Sequence, residues 1–351
     1  MKKMCVFCGK SPESKNKEHV LPQWLIAFTG DPKRTVRFGF NKQTGKSREY
    51  SYNTFQFPAC AKCNNDFANL EHLVKPVILN LLDSQFLTNA DFVILLDWFD
   101  KVRIGLWQAF LLLDKNPYQI SPHYHIQSRM GLHDRMLQLC RLGESEGELS
   151  FRGCDMPSFS FTPNCFSMII NNYCIINLSS PFLFSRRLGF PYPASTSLLE
   201  SGAVDYDMVP GRERVMRPLI RFPFNYNGTS IFQPIYRQVK HLSFYNEQYV
   251  SNNSLSVEHG FGQVFMENGD KARVINSAPS VDWVPSKYYT RDDLNPGISI
   301  HTLELQRFMN SLTPSLDQLS KENRLVWQNT IRIGDNYGRQ MIKTLKKNSS
   351  Q

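Results

Sequence analysis

Cys5-Val6-Phe7-Cys8, Glu18-His19-Val20-Leu21-Pro22 and Cys60-Ala61-Lys62-Cys63-Asn64-Asn65 are the three pieces of sequence that decide how this chain of 351 residues is organised. Two residues between cysteines let both sulfurs of a C-x-x-C pair face one ion, so two such pairs close a tetrahedral thiolate zinc site. Four thiolates leave no open coordination position, so the ion is structural. With 51 residues between the pairs, zinc pins the start of this stretch to its end. The same clamp draws a carboxylate-histidine pair, Glu18-His19, towards Asn64, the residue that directly follows a ligand.

A 41% apolar and 13% aromatic composition supports packed cores, and the length suits two or three domains. The formal charge is +9, and its distribution is uneven: residues 1–75 hold thirteen Lys or Arg against six acids. A basic field beside a metal site fits a polyanionic partner, although a solvated lysine-rich surface has the same composition. Cys140, Cys154, Cys165 and Cys174 lack knuckle spacing and are expected as buried thiols. Met1-Lys2-Lys3-Met4 runs straight into a knuckle cysteine rather than an apolar leader. The most apolar stretch, Phe92 to Leu113, is broken by Asp97, Asp100, Lys101 and Arg103, so no membrane span is expected and the protein is placed in the cytoplasm.

At the quoted residues the chain resembles the HNH (ββα-metal) endonuclease family, in the subset held by a four-cysteine zinc. The likeness covers about the first fifth of the chain. In that family an acidic residue followed by histidine ends the first strand and an asparagine or histidine at the helix start completes a metal site; here these are Glu18-His19 and Asn64. The resemblance implies that Glu18 and Asn64 hold a hard divalent cation, Mg²⁺ or Mn²⁺, distinct from the zinc on Cys5, Cys8, Cys60 and Cys63. It also implies that His19 is the general base in phosphodiester hydrolysis, with nucleic acid, DNA favoured, as substrate. Glu18 stands where the family more often has Asp. Asn65 shares the candidacy of Asn64, and Asn53 is the nearest match to the family's middle asparagine. Glu71, two turns beyond Asn64 on one helix face, either joins the metal or holds a basic side chain. A role in antiphage defence follows only from how such modules are commonly used. The alternative is a non-catalytic zinc ribbon that binds nucleic acid or a protein partner.

The expected architecture is α+β: a small zinc-stapled ββα-metal (HNH) module over residues 1–76, a helical connector over 77–145, and a larger mixed α+β domain over 146–351 whose role is target recognition or regulation, with a protein partner as one candidate ligand. Residues 30–50 are basic and turn-rich, a hairpin tip or loop, and the alternation of Tyr50 to Phe57 predicts a strand entering the second knuckle. A helix is expected from about Asn65 to Val74, with Pro76 ending it or opening the next. Phe92, Leu95, Leu96, Phe99, Val102, Leu106, Phe110 and Leu113 form one apolar stripe on a long helix. Phe159 to Phe161 reads as strand, Cys165 to Ile170 and Tyr173 to Leu178 as a hairpin turning at Asn171-Asn172, with further strands at Leu219 to Phe222, Ser230 to Tyr236, Leu242 to Tyr245 and Val264 to Met266. Helical spacing returns from about Ile300 to Lys347. Arg186, Arg187, Arg212, Arg214, Arg217, Arg221, Lys240 and His241 are basic positions among aromatics, read first as solvated loop residues.

Overall fold

A computed structural model describes residues 4–13, 16–40, 47–113, 125–142, 147–185, 190–209, 229–235, 260–268, 271–275 and 291–348. The expected strands at Leu219 to Phe222 and Leu242 to Tyr245, and the basic positions Arg186 to Lys240 with His241, lie outside the described residues.

The chain is a mixed α+β protein with seven helices among the described residues and four sheets. Its centre is an antiparallel seven-stranded sheet in the order β13-β12-β11-β5-β8-β7-β6. These strands are β5 (Asp134–Arg141), β6 (Leu149–Arg152), β7 (Cys165–Ile170), β8 (Tyr173–Ser180), β11 (Thr229–Gln233), β12 (Phe265–Asn268) and β13 (Lys271–Val274). The hairpin of β7 and β8 turns at Asn171, whose φ of 47° is one that Asn tolerates.

Both faces of this sheet are covered, which explains strands that read as nearly unbroken apolar runs. On β5, β7 and β8 the residues Leu137, Leu139, Phe166, Met168, Ile170, Tyr173 and Ile175 face one core. The alternate residues Met136, Cys140, Cys165, Ile169, Cys174, Ile176 and Leu178 face a second. Period-2 alternation sorts them, and only a side chain large and apolar on both faces fills both layers. Helix α6 (Arg291–Ser311) packs Ile298, Leu305 and Met309 into the second core. The first core is filled by α3 (Asn89–Leu113) and closed by Ile342 of α7 (Lys321–Asn348).

Helix α3 departs from the expected one-sided stripe, being buried on every side from Trp98 to Leu111. Its charged residues are paired inside the protein, as burial of a charge requires. Arg103 Nη1 bonds to Asp100 Oδ1 at 2.8 Å and to Asn177 Oδ1 on β8, and Arg135 on β5 reaches Asp97 Oδ1 at 2.5 Å. Asp100 Oδ2 accepts the Gly131 N–H at 3.0 Å. Trp107 donates its indole N–H to the Ser160 carbonyl at 2.8 Å.

Four sequence expectations need correction. The helix after the second knuckle, α2 (Ala61–Leu82), runs straight through Pro76 for 22 residues, because Val74, Val77, Ile78, Leu81 and Leu82 pack one continuous face. Residues 77–145, expected as a helical connector, contain the central strand β5, whose alternate side chains are needed by both cores. Phe159 lies in a short helix, α5 (Pro157–Phe161), opened by Pro157 at its first position, where proline is favoured. Tyr50 to Phe57 is broken: β3 (Ser47–Ser51) ends, a 3₁₀ turn spans Tyr52–Thr54, and β4 (Gln56–Pro58) begins anew. Tyr52 causes the break by turning inward, where its hydroxyl donates to the Leu149 carbonyl and the Arg34 guanidinium lies 4.8 Å over its ring. The basic segment 30–50 does form a hairpin, β2 (Thr35–Phe40) against β3.

Candidate metal centre and its surroundings

The first knuckle is a tight turn in which the Gly9 N–H donates to Cys5 O at 2.9 Å. Gly9 has φ +73°, and the His125 ring lies where its Cβ would be, 2.2 Å from Nε2, so only glycine serves there. The second knuckle is the start of α2, with Cys60 as N-cap and Cys63 in the first turn. Val6 N–H donates to Pro58 O at 2.9 Å and ties the two together. The Phe7 and Phe67 rings stack at 4.2 Å. A short helix, α4 (Ile126–Arg129), braces the knuckle from the far side, since Ile126 and Gln127 donate their N–H groups to Val6 O and Phe7 O at 3.1 and 3.0 Å.

The four sulfurs of Cys5, Cys8, Cys60 and Cys63 all lie within 4.8 Å of one another. Cys8 Sγ and Cys60 Sγ are 3.8 Å apart, which matches the edge of a tetrahedron, about 3.8 Å, for Zn–S bonds of about 2.3 Å. Burial works against ionising Cys63, whose thiol is pushed up to about 12, and it raises Cys60 as well. For Cys5 burial acts the same way but is outweighed by N–H groups of Cys60, Cys8 and Phe7, and the thiol is drawn down. Thiols this close oppose each other's charge; a divalent ion removes the conflict. The residues fit zinc, and theirs is the only such group of His, Cys, Asp or Glu among the described residues.

Glu18 and His19 lie on β1 (Lys17–His19), which pairs antiparallel with β4, Glu18 opposite Phe57 and His19 opposite Gln56. Cross-strand partners share a face, so Glu18 points inward with buried Phe57 while His19 points outward with Gln56. Inside, Glu18 Oε1 meets the ammonium of Lys101 from α3 at 2.7 Å, and the same ammonium bonds to Glu71 of α2. Lys101 is 1% exposed while the Glu18 and Glu71 side chains are 12% and 22% exposed, so a buried ammonium is held by two part-buried carboxylates. Burial raises the Glu18 carboxyl, Lys101 lowers it, and the neighbouring Glu71 charge raises it again. Of the two options for Glu71, a basic side chain is the one present.

His19 is half-buried, and its Nε2 lies 2.6 Å from Gln56 Nε2 and 3.4 Å from Gln23 Nε2. Amide nitrogens donate, so this ring nitrogen accepts and the proton sits on Nδ1. Burial lowers the His19 pKa from 6.5, Glu71 raises it, and Lys101 and Lys17 lower it further. The imidazole is therefore neutral at working pH.

Asn64 is partly buried, and its Oδ1 is buried without a hydrogen-bond partner among the described residues. A lone buried acceptor oxygen suits a cation ligand, whereas the Glu18 and Glu71 carboxylates are already taken by the Lys101 ammonium. Asn65 is exposed. Asn53 lies in the 3₁₀ turn, and its side chain is outside the described residues. Sequence reasoning missed the roles of Lys101 and Gln56. The one available signal for Lys101 was a lysine in the middle of a long apolar helix, where a buried charge demands a partner.

Cys140, Cys154, Cys165 and Cys174 are buried and unbridged, as expected. No described helix is long and apolar enough to cross a membrane. No family model, curated protein or solved structure matches this chain.

Proposed function

We infer that the N-terminal module is a metal-dependent nuclease of HNH type that hydrolyses phosphodiester bonds, with DNA as the favoured substrate. What supports this reading is the closure of the four sulfurs, which ties β1, through its pairing with β4, to the start of α2, where Asn64 follows Cys63. His19 takes the proton from the attacking water. Its lone pair on Nε2 is engaged by the Gln56 amide at 2.6 Å, and the water takes that place when it binds. Glu18 and Asn64 would hold the Mg²⁺ or Mn²⁺ once Glu18 is released from Lys101, and the ion would stabilise charge on the phosphate and leaving oxygen. The excess of Lys and Arg in the first 75 residues holds the polyanion against the module. An antiphage role would suit such a cutter.

The pairing of both carboxylates with Lys101 favours a second reading, a zinc module that binds nucleic acid or a partner protein without cutting it. Supercoiled plasmid incubated with the zinc-loaded protein and Mg²⁺ or Mn²⁺ separates the two. Nicking by wild type that disappears in a folded His19→Ala protein supports hydrolysis. Retained DNA binding with no nicking under either ion supports the second.

A further inference from the structure

Helix α7 is seated in the body of the protein along only its second half. Its buried residues are Gly334, Gly338 and Ile342, and the two glycines let it close on Ser158 of α5 and Arg307 of α6. No residue from Lys321 to Ile333, about 20 Å of helix, is buried. That half nevertheless carries Leu325, Val326, Trp327 and Ile333, all exposed, and Phe308 of α6 and Leu312 just beyond it are exposed as well. These are six of the eleven large apolar side chains that are exposed among the described residues, so the apolar surface is gathered on one helix pair. Leu325, Val326 and Ile333 fall within about 100° of one another around the helix axis, which makes a face. Between α6 and α7 runs a groove of about 590 Å³ whose walls include Phe308, Ser311, Gln328, Ile331, Arg332 and Arg339.

Charge narrows what can cover this surface. Helix α7 contains seven Lys or Arg against two acids. One of those acids, Asp335, is already shared by Arg307 at 2.7 Å and Arg339 at 2.6 Å. Arg332 is bonded to a neutral group, the Asn329 side-chain carbonyl, at 3.0 Å, and brings its charge to the groove. A phosphate backbone would answer the cations but leave bulky apolar side chains in water. A second copy of α7 would set seven cations against seven. A partner surface that is apolar and acidic at once answers both features.

We propose that α6 and α7 form the docking surface for an acidic amphipathic helix of another protein. Its apolar side chains cover Phe308, Ile331 and the Leu325–Ile333 face, and its carboxylates meet Arg332 and the neighbouring cations of α7. The nuclease reading concerns β1, β4 and the start of α2, and this surface does not depend on it.

The test uses the full-length, zinc-loaded chain and a fluorescein-labelled synthetic helix of about five turns, followed by fluorescence anisotropy. The peptide has leucine at every third and fourth position and glutamate at the others. Wild type is expected to bind it in the micromolar range and to leave the same peptide with lysine for glutamate unbound. Leu325→Asp with Ile333→Asp, and separately Arg332→Glu, should each weaken binding at least about ten-fold. All three positions are exposed, so both variants should keep the urea midpoint of wild type. No saturable binding of the acidic peptide, or binding that both folded variants retain, overturns the proposal. So does a short DNA duplex that binds instead of the peptide and is lost in Arg332→Glu, which assigns the surface to nucleic acid. A wild-type dimer that Leu325→Asp dissociates overturns it too, by assigning the surface to a second copy.

Discussion

Removing the zinc is the perturbation with the most definite expected size. A zinc on the four cysteines would cross-link residues 52 apart in sequence, Cys8 and Cys60. By the loop-closure relation used for covalent cross-links, tying off a loop of about 52 residues costs the unfolded chain about 4 kcal/mol of entropy. That is a factor of about a thousand in the ratio of folded to unfolded molecules, before counting metal–thiolate bond energy. The effect does not stay local. Phe7 stacks on Phe67, Val6 and Phe7 carbonyls anchor α4, and Cys5, Val6 and Phe7 belong to the same core as α3 and one face of the sheet. Urea unfolding followed by tryptophan fluorescence, with and without a strong chelator and in Cys60→Ser, measures it. Trp24 in α1 (Gln23–Phe28) reports on the module, while Trp98 and Trp107 report on the buried helix. Chelation is expected to lower the midpoint at these three of the chain's five tryptophans, by at least about 4 kcal/mol of stability. A chelated protein with an unchanged midpoint would show that the four sulfurs do not carry a structural ion.

Three further outcomes are expected. The nicking rate should fall on the acid side with a midpoint below 6.5, because burial depresses the His19 pKa; a midpoint above 6.5 contradicts the neutral, buried imidazole. Stability should also drop as the pH falls below about 6.5, because His133 and His301 are buried neutral with pKa values of about 3 and about 4, while the unfolded chain takes up those protons first. A urea midpoint that is the same at pH 7.5 and pH 5 refutes that. Finally, a Cβ on Gly105 of α3 would sit 2.7 Å from Val20 Cγ1, so Gly105→Ala should lose about 1–3 kcal/mol by overpacking, despite the better helix propensity of alanine. Unchanged or higher stability would mean the helix and the Glu18-His19 segment slide apart easily.

The zinc ligands were legible because two C-x-x-C pairs carry their geometry in their spacing, and the β7–β8 hairpin because Asn171-Asn172 separates two apolar runs. Burial pattern misled in the long helix. Asp97, Asp100, Lys101 and Arg103 interrupt an apolar run in the sequence and there argue only against a membrane span, whereas three of them are fully buried and answered by Glu18, Glu71, Asn177 and Arg135. Those partners lie between 30 and 83 residues away, a separation no local periodicity reports. Pro76 was overweighted as a helix breaker because it sits on the exposed side of α2, and the buried face of Val74 and Val77 beside it is visible only once α3 is in place. Tyr52 was counted as one more alternating aromatic, although its hydroxyl finds Leu149 97 residues on.

The unbroken course of α2 through Pro76, with Gly105 seated on Val20, bears on how this protein can be dissected. A fragment ending at residue 76 would cut a helix in mid-span and strip it of the partner that covers it. Grafting the amino-terminal part onto another carrier therefore requires taking α3 along as its underlay. The same holds for swaps between natural homologues: the seam lies beyond Leu113, well past the last cysteine of the knuckles.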